Sequence, residues 1–329
     1  MLLSICIPTY NRGMRAKMLV KNLLSLPYDE NEIEIVVSDN GSSKYSDKYA
    51  EIADINDARL HYYRADHNMG FMKNVNQVMR LSKGDYCMLI SDEDRIAKEN
   101  LDIYMDILRQ HDDLAVVKAK NSIQYTEDHD ISAAKGHEAL DNYYMKGNYI
   151  SGAIYNRHIL TNEVIDEYEK KYSQNIAYIH YTHMFYDAYM TLNGRFIYKD
   201  LLLIMNCKPE GDIEEITSES GIESYGAYQS RIDQMMGFIE QVKDVNVDAG
   251  LKLHMFQKIC DKYVYLVWLV YHCNKDSEEV LKDILEVLRN KMREGFEYIG
   301  IPLQEEDKKE VYSFIDSLMD FGRFIDYIV

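Results

Sequence analysis

Several things are scarce in this 329-residue chain, and each scarcity closes off an interpretation. Its five cysteines (Cys6, Cys87, Cys207, Cys260 and Cys273) are odd in number, far apart and include no C-x-x-C pair. A disulfide framework is therefore not expected, and a reducing compartment is. Basic residues are in the minority, 37 Lys and Arg against 55 Asp and Glu, for a net charge of −18. Such a chain is a poor fit to non-specific nucleic-acid binding, which uses Lys and Arg to displace phosphate counterions. One local basic site for a phosphorylated small molecule stays compatible with that balance. Neither G-x-G nor G-x-x-x-x-G-K-[ST] occurs, so the usual glycine cradles for nucleotide phosphates are lacking. The apolar run Tyr263–Cys273 is far shorter than the roughly 20 residues that span a bilayer. The chain also opens on a strand-like segment where a signal peptide would have a charged and then an apolar region. A cytoplasmic protein is expected.

What is present is an alternation. Apolar, strand-like segments at 2–8, 33–39, 59–64, 86–91 and 114–120 are separated by helical patterns at 14–26, 44–56, 70–84 and 98–111. Strands alternating with helices predict an α/β fold with a doubly wound, mostly parallel sheet flanked by helices. Beyond residue 122 the pattern weakens. A strand or turn is expected within 149–160, a helix over 178–194 and a strand over 195–205. From about residue 224 the pattern is almost wholly helical, at 225–244, 250–273, 276–295 and 304–320. The expected division is residues 1–215, within which 1–120 and 121–215 form two halves, followed by an α-helical C-terminal region at 216–329.

In doubly wound sheets, ligands bind outside the carboxyl ends of the strands. The residues that follow each strand are therefore the candidates: Pro8, Thr9, Tyr10, Asn11 and Arg12; Asp39 and Asn40; Asp66, His67, Asn68, Met69 and Gly70; and Asp92, Glu93 and Asp94. The last group is the oddest. The segment "YCMLISDED" runs from a strand pattern straight into three acids. Like charges about 4 Å apart repel by roughly 4 kcal/mol per pair at an effective dielectric of 20. A divalent cation would relieve that, and hard carboxylate oxygens suit Mg2+ or Mn2+. On an extended strand exit, alternate residues project the same way, so Asp92 and Asp94 are expected to face one site. A helix N-cap with acids near the helix start is the competing reading of the same residues.

Four blocks in order, "SICIPTYNR", "IEIVVSDNGS", "NMGFMKNVNQVM" and "KGDYCMLISDED", resemble the family 2 glycosyltransferases, which have the GT-A fold. The resemblance spans roughly residues 1–205 and is strongest over the first hundred. It implies that Pro8, Thr9 and Tyr10 embrace a nucleoside base, with Arg12 beside the base or diphosphate. It implies that Asp39 meets the base or ribose, that Asn68 and Gly70 form the N-x-G element, and that Lys73, with Asn74 facing the same region, contacts the diphosphate. Asp92, Glu93 and Asp94 match the D-x-D box, with Asp94 the foremost metal ligand and Asp92 its companion, for Mn2+ or Mg2+. The implied partners are a nucleotide-diphospho-sugar donor and a saccharide or lipid-linked acceptor, as in bacterial surface polysaccharide or glycoconjugate synthesis.

One departure from the family pattern stands out. Inverting members carry Glu-Asp shortly before a glycine and strand, and counting back from Gly194 places Thr182-His183 there. A histidine can take the same proton. His183 is thus the expected general base, and Asp187, on the same helix face together with His180, is the runner-up and a group that could orient it. Gly152, in "GNYISGAIYNR", is expected near the acceptor. The C-terminal helices are expected to pack on the core, to join copies in a homo-oligomer, or to support peripheral association with the inner face of the membrane. Two rival readings stand beside this one: a non-catalytic nucleotide-sugar-binding or scaffold subunit, favoured by the missing acidic base, and a nucleotidyltransferase, for which "PTYNRGMRAK" is a poor first loop.

Overall fold

The computed structural model describes residues 1–122, 127–146, 149–207 and 227–319. The chain divides into two compact units, Met1–Ser173 with Ile179–Pro209, and Gln174–Tyr178 with Glu210–Val329. The expected boundary at 215/216 lies outside the described residues.

In the first unit β1 (Leu3–Thr9), β2 (Ile33–Asp39), β3 (Leu60–Arg64) and β4 (Tyr86–Leu89) form a parallel block in the order β3-β2-β1-β4. Helices α1 (Gly13–Leu24), α2 (Ser46–Ala53) and α3 (Phe71–Leu81) make the crossovers. β1 is buried on both faces, which is why it reads as a continuous apolar run. Leu3, Ile5 and Ile7 pack with Ala16, Leu19, Val20 and Leu23 of α1 and with Tyr49 and Ile52 of α2. On the other face the Cys6 thiol donates to the Val78 carbonyl of α3.

Past β4 the sheet departs from simple alternation. β5 (Asp94–Ile96) and α4 (Lys98–Gln110) lead to β6 (Leu114–Asn121), then β7 (Ile131–Ala133), α5 (His137–Tyr143), β8 (Ala153–Asn156), α6 (Asn162–Tyr172), α7 (Ile176–His180), α8 (Thr182–Asn193) and β9 (Arg195–Asn206). β8 inserts between β4 and β6, antiparallel to both. β6 and β9 pair in parallel, and β5 and β7 pair antiparallel to β9. The result is an α/β sheet with a parallel half and a mixed half. β5 and β7, three residues each, are too short to leave a readable period, and α5 and α6 form in the stretch where the sequence pattern weakens.

The helix expected over 178–194 is two helices, α7 and α8, with Tyr181 between them at φ −132° and ψ 45°. This corrects the expected shared face. His183 and Asp187 stay one turn apart on α8, whereas His180 ends α7 and falls out of the series.

The second unit holds α9 (Tyr228–Asp244), α10 (Ala249–Asn274), α11 (Glu278–Ile299) and α12 (Glu305–Leu318). Asp248 and Ser277 cap α10 and α11 through their side chains, accepting from Leu251 N–H and Val280 N–H. Met255, Phe256, Ile259, Tyr263 and Val267 of α10 are buried.

Candidate active site

The first strand-end loop is tied to the acid box across the sheet. Thr9 closes β1, and its hydroxyl donates to Asp92 Oδ2 at 2.7 Å while lying 2.8 Å from the Tyr49 hydroxyl. Tyr49 accepts the Arg12 backbone N–H at 3.0 Å, and the Arg12 guanidinium donates to Asp92 Oδ1 at 3.2 Å. Asn11 between them sits in the left-handed region at φ 55°, uncommon for a non-glycine residue. Its side-chain carbonyl accepts the N–H groups of Ser43 and Lys44, at 2.9 and 3.0 Å, which joins this loop to the one after β2. Pro8 and Tyr10 are half-buried beside it.

The second and third loops are joined by amides. Asp39 is buried; it accepts from Ser42 N–H at 2.9 Å and from the Tyr62 hydroxyl at 2.8 Å, with Arg64 3.6 Å away. Asn40 donates to Asn68 Oδ1 at 2.8 Å and accepts from Met69 N–H at 2.9 Å. Gly70 starts α3 at φ +90°, a conformation that favours glycine. Lys73 is exposed on the first turn of α3. Asn74 is buried and does not share its direction, because consecutive helical residues point about 100° apart. It bonds Ser38 Oγ at 2.7 Å and the Thr9 carbonyl at 3.3 Å, stapling β1 to β2.

The acid box is a turn and not an extended strand exit, which corrects the expectation that Asp92 and Asp94 project alike. Asp94 N–H bonds the Ser91 carbonyl at 3.0 Å, and Asp94 opens β5 opposite Asn206 of β9. Each acid has its own partners. Asp92 has Thr9 and Arg12. Glu93 lies 3.0 Å from Arg15 and 3.8 Å from Arg12. Asp94 accepts from the Tyr149 hydroxyl at 2.8 and 2.7 Å, from the Ser151 hydroxyl, and from Asn206 Nδ2 at 3.1 Å. The repulsion between three adjacent acids is thus already offset by two guanidiniums and a set of neutral donors. Burial still pushes the Asp92 and Asp94 carboxyls up, against the pull of these partners.

The donor set suits a hard divalent cation. Each Asp92 oxygen accepts one protein hydrogen bond, which leaves lone pairs for a metal; the Asp94 oxygens carry more, and a metal there would displace or reorient a hydroxyl. Among the described residues no three His, Cys, Asp or Glu side chains gather into a metal cage. Mg2+ sites commonly use one or two carboxylates and complete the shell with water and substrate phosphates, and Asp92 and Asp94 are the carboxylates that would serve here.

On α8, His183 and Asp187 are both buried, at 3% and 4% exposure. The His183 ring lies edge-on to Tyr181, with centroids 6.4 Å apart, and its carbonyl accepts from the Tyr155 hydroxyl at 3.3 Å. The same hydroxyl donates to Asp187 Oδ1 at 2.7 Å. Burial pushes the Asp187 carboxyl up to about 7, with Tyr155, Lys118 and Tyr143 opposing the rise. A carboxyl so placed titrates near neutrality, where a general base works best.

Gly152 is buried at φ +81°, and a Cβ there would meet Ile204 Cγ1 at 3.0 Å and Ala119 Cβ at 3.1 Å. Its N–H and carbonyl bond Leu89 and Ala119, both at 2.9 Å, so it lets β8 approach closely and delivers Tyr149 and Ser151 to Asp94. The preceding Gly147 and Asn148 lie outside the described residues. Tyr149, Ser151, Asn206 and Tyr155 belong to this network and were missed by motif reading. Polar side chains flanking Gly152 and ending the strand at 195–206 were the available signal.

Comparison with known proteins places this geometry. Residues 4–160 match the model of "Glycosyl transferase family 2". The chain is 30% identical over 123 residues to the abequosyltransferase RfbV of Salmonella typhimurium, covering 37% of each chain. It is 26% identical over 163 residues to the proposed colanic acid biosynthesis glycosyl transferase WcaA of Escherichia coli, covering 50% of this chain and 56% of that one. The matched stretch thus spans about a third to a half of these relatives' length. Among solved structures, S. aureus TarS 1–349 in complex with UDP-GlcNAc superposes with a TM-score of 0.65 at 16% identity, over 90% of this chain and 81% of TarS. No described helix is long and apolar enough to cross a membrane. Residues 4–160, just under half of the chain and with the four strand-end loops inside that span, are what matches glycosyl transferase family 2.

Proposed function

We propose that the chain is a glycosyltransferase that moves a sugar from a nucleotide-diphospho-sugar to a hydroxyl of a saccharide or lipid-linked acceptor, with Mn2+ or Mg2+ as cofactor. The observation that carries this is the linkage of the loops at the carboxyl ends of β1, β2, β3 and β4: Thr9 and Arg12 bond Asp92, Asn11 joins the first loop to the second, and Asn40 joins the second to the third. The bound UDP-GlcNAc of TarS and the family match support the donor class. The RfbV and WcaA relationships support synthesis of a bacterial surface polysaccharide or glycoconjugate.

In this reading residues 1–120 hold the donor and 121–215 the acceptor. Tyr10 offers a ring to the base, with Pro8 and Thr9 shaping the loop around it. Asp39 accepts from the base or ribose. Asn68 and Gly70 set the start of α3, and Lys73 and Arg12 face the diphosphate. Asp92 and Asp94 hold the cation, with Glu93 at the ribose side. The cation would supply counter-charge to the leaving diphosphate. His183 takes the proton of the acceptor hydroxyl, and Asp187, one turn on, backs it or replaces it. The Gly152 segment faces the acceptor.

The helices of residues 216–329 would join copies or rest on the cytoplasmic face of the membrane. Exposed Leu269, Val280, Val287 and Tyr298 support a contact role for that unit. A cytoplasmic location follows from the donor class. The rival reading, a non-catalytic sugar-nucleotide-binding subunit, draws on Thr182-His183 standing where inverting relatives have Glu-Asp. A panel of UDP-, GDP-, CDP- and dTDP-sugars, assayed for binding and for Mn2+-dependent hydrolysis, decides between them. Turnover of one donor supports the enzyme. Binding without turnover, in the presence of candidate acceptors, favours the subunit. Neither binding nor turnover sinks both.

A further inference from the structure

β6 carries a lysine where its neighbours Val116, Val117 and Ala119 are apolar and fully buried. Lys118 is itself buried, at 4% exposure, and lies in register with Ala153 of β8 and Tyr198 of β9. Its ammonium donates to the carbonyls of Tyr149 at 2.5 Å and Ser151 at 3.1 Å. Two neutral carbonyls do not replace the hydration of an ammonium ion, and a buried cation ordinarily needs an anion. The two carboxylates whose charges act on Lys118 are Asp187 and Asp94.

The contacts form a chain. Lys118 grips the backbone of residues 149 and 151. The side chains of those same two residues grip Asp94. The Ser151 hydroxyl also accepts the Ser91 N–H at 2.8 Å, just before the acid box. Toward α8, the Lys118 charge acts on the Asp187 carboxyl, which the Tyr155 hydroxyl of β8 holds at 2.7 Å. We propose that Lys118 is a positioning residue that fixes the 149–151 segment and, through its side chains, the metal-side carboxylate Asp94, with the acceptor-side carboxylate Asp187 as a second counter-charge. The hold on Asp94 rests on hydrogen-bond geometry, and its catalytic meaning rests on the glycosyltransferase reading above. Burial pushes the Lys118 ammonium down to about 8, so it remains mostly cationic near neutrality.

The test combines spectroscopy of the intact chain with kinetics. With lysine 15Nζ labelling, Lys118 should give an ammonium signal with slowed solvent exchange, assigned by its loss in Lys118→Arg. That signal should move in Asp94→Asn and again in Asp187→Asn, with no metal added. In transfer assays Lys118→Met should lower kcat at least tenfold and change the donor KM less than threefold, and Lys118→Arg should recover part of the loss. Ser151→Ala, which leaves the lysine in place, should raise the Mn2+ concentration for half-maximal rate. A lysine signal indifferent to both aspartate variants overturns the proposal, and this measurement does not require Lys118→Met to fold. Wild-type kcat in a folded Lys118→Met overturns it too, while leaving the glycosyltransferase reading intact. A signal that responds to both aspartates in a chain that binds no sugar nucleotide keeps the hold on Asp94 and discards that reading.

Discussion

Thr9 and Asp92 stand 83 positions apart in the chain, and a 2.7 Å hydrogen bond joins them. The bond runs from the carboxyl end of β1 to the turn after β4, two strands that pair in parallel side by side. It aims one carboxylate of the acid box at the loop proposed to hold the nucleoside. Thr9→Val removes the donor and keeps the shape. Leaving a buried carboxylate short of one charge-assisted bond should cost about 1–3 kcal/mol. Urea unfolding should register that loss, and titration calorimetry should register weaker donor binding. An unchanged midpoint with unchanged affinity would show the bond to be idle.

The acid box should respond unequally to neutralisation. Asp92→Asn keeps a hydrogen-bonding amide but lowers Mn2+ affinity, by about tenfold or more if a metal-site group is lost. Asp94→Asn should lower it as well and should also loosen the fold, because Tyr149, Ser151 and Asn206 all converge on that carboxylate. Mn2+ binding followed by electron paramagnetic resonance, paired with thermal melts, separates the two effects. Full Mn2+ affinity in both variants would remove the metal from the proposed site.

His183 and Asp187 can be told apart by substitution. His183→Ala should leave donor binding near the wild-type level and abolish transfer, whereas a near wild-type rate would rule out the histidine as base. If Asp187 serves in its place, the rate should climb as pH passes through about 7, the value to which burial pushes its carboxyl, since the base form exists above it.

Asp187 also links stability to pH. Its carboxyl is raised in the fold to about 7, against about 3.9 in an unfolded chain. Between those values the folded state holds a proton that the unfolded state releases. Stability from this group is therefore full at low pH, falls as pH rises toward 7, and is flat above. The loss is at most roughly 4 kcal/mol by proton linkage. Asp187→Asn cannot release that proton. Its stability relative to wild type should rise between pH 4 and 7 in denaturant titrations, and a constant difference across that range would show that the shift is not there.

Gly152→Ala should destabilise the sheet by about 1–3 kcal/mol, because φ +81° disfavours any Cβ and the space is taken by Ile204 and Ala119. A lowered melting temperature is expected. A melt matching wild type would mean that the 149–153 segment can shift without cost.

The sequence by itself determined the parallel half. Where a strand is buried on both faces it must be apolar throughout, so 2–8, 33–39 and 86–89 announce themselves, and the polar residues that interrupt them mark the strand ends. That is why Thr9, Asp39, Asn68 and Asp92 could be picked out as a series. The family resemblance added roles that composition and period cannot supply. Only the tertiary structure decided the rest. β8 threads between β4 and β6 because Gly152 admits close backbone approach, and short strands such as β5 carry too few residues to show a period. The grip on Asp94 spans 55 positions to Tyr149, 57 to Ser151 and 112 to Asn206. Hydrogen bonds at such separations follow no repeat along the chain. They exist only once the strands are side by side, which is also why a lone lysine in an apolar strand could pass unread until its carbonyls and carboxylates surrounded it.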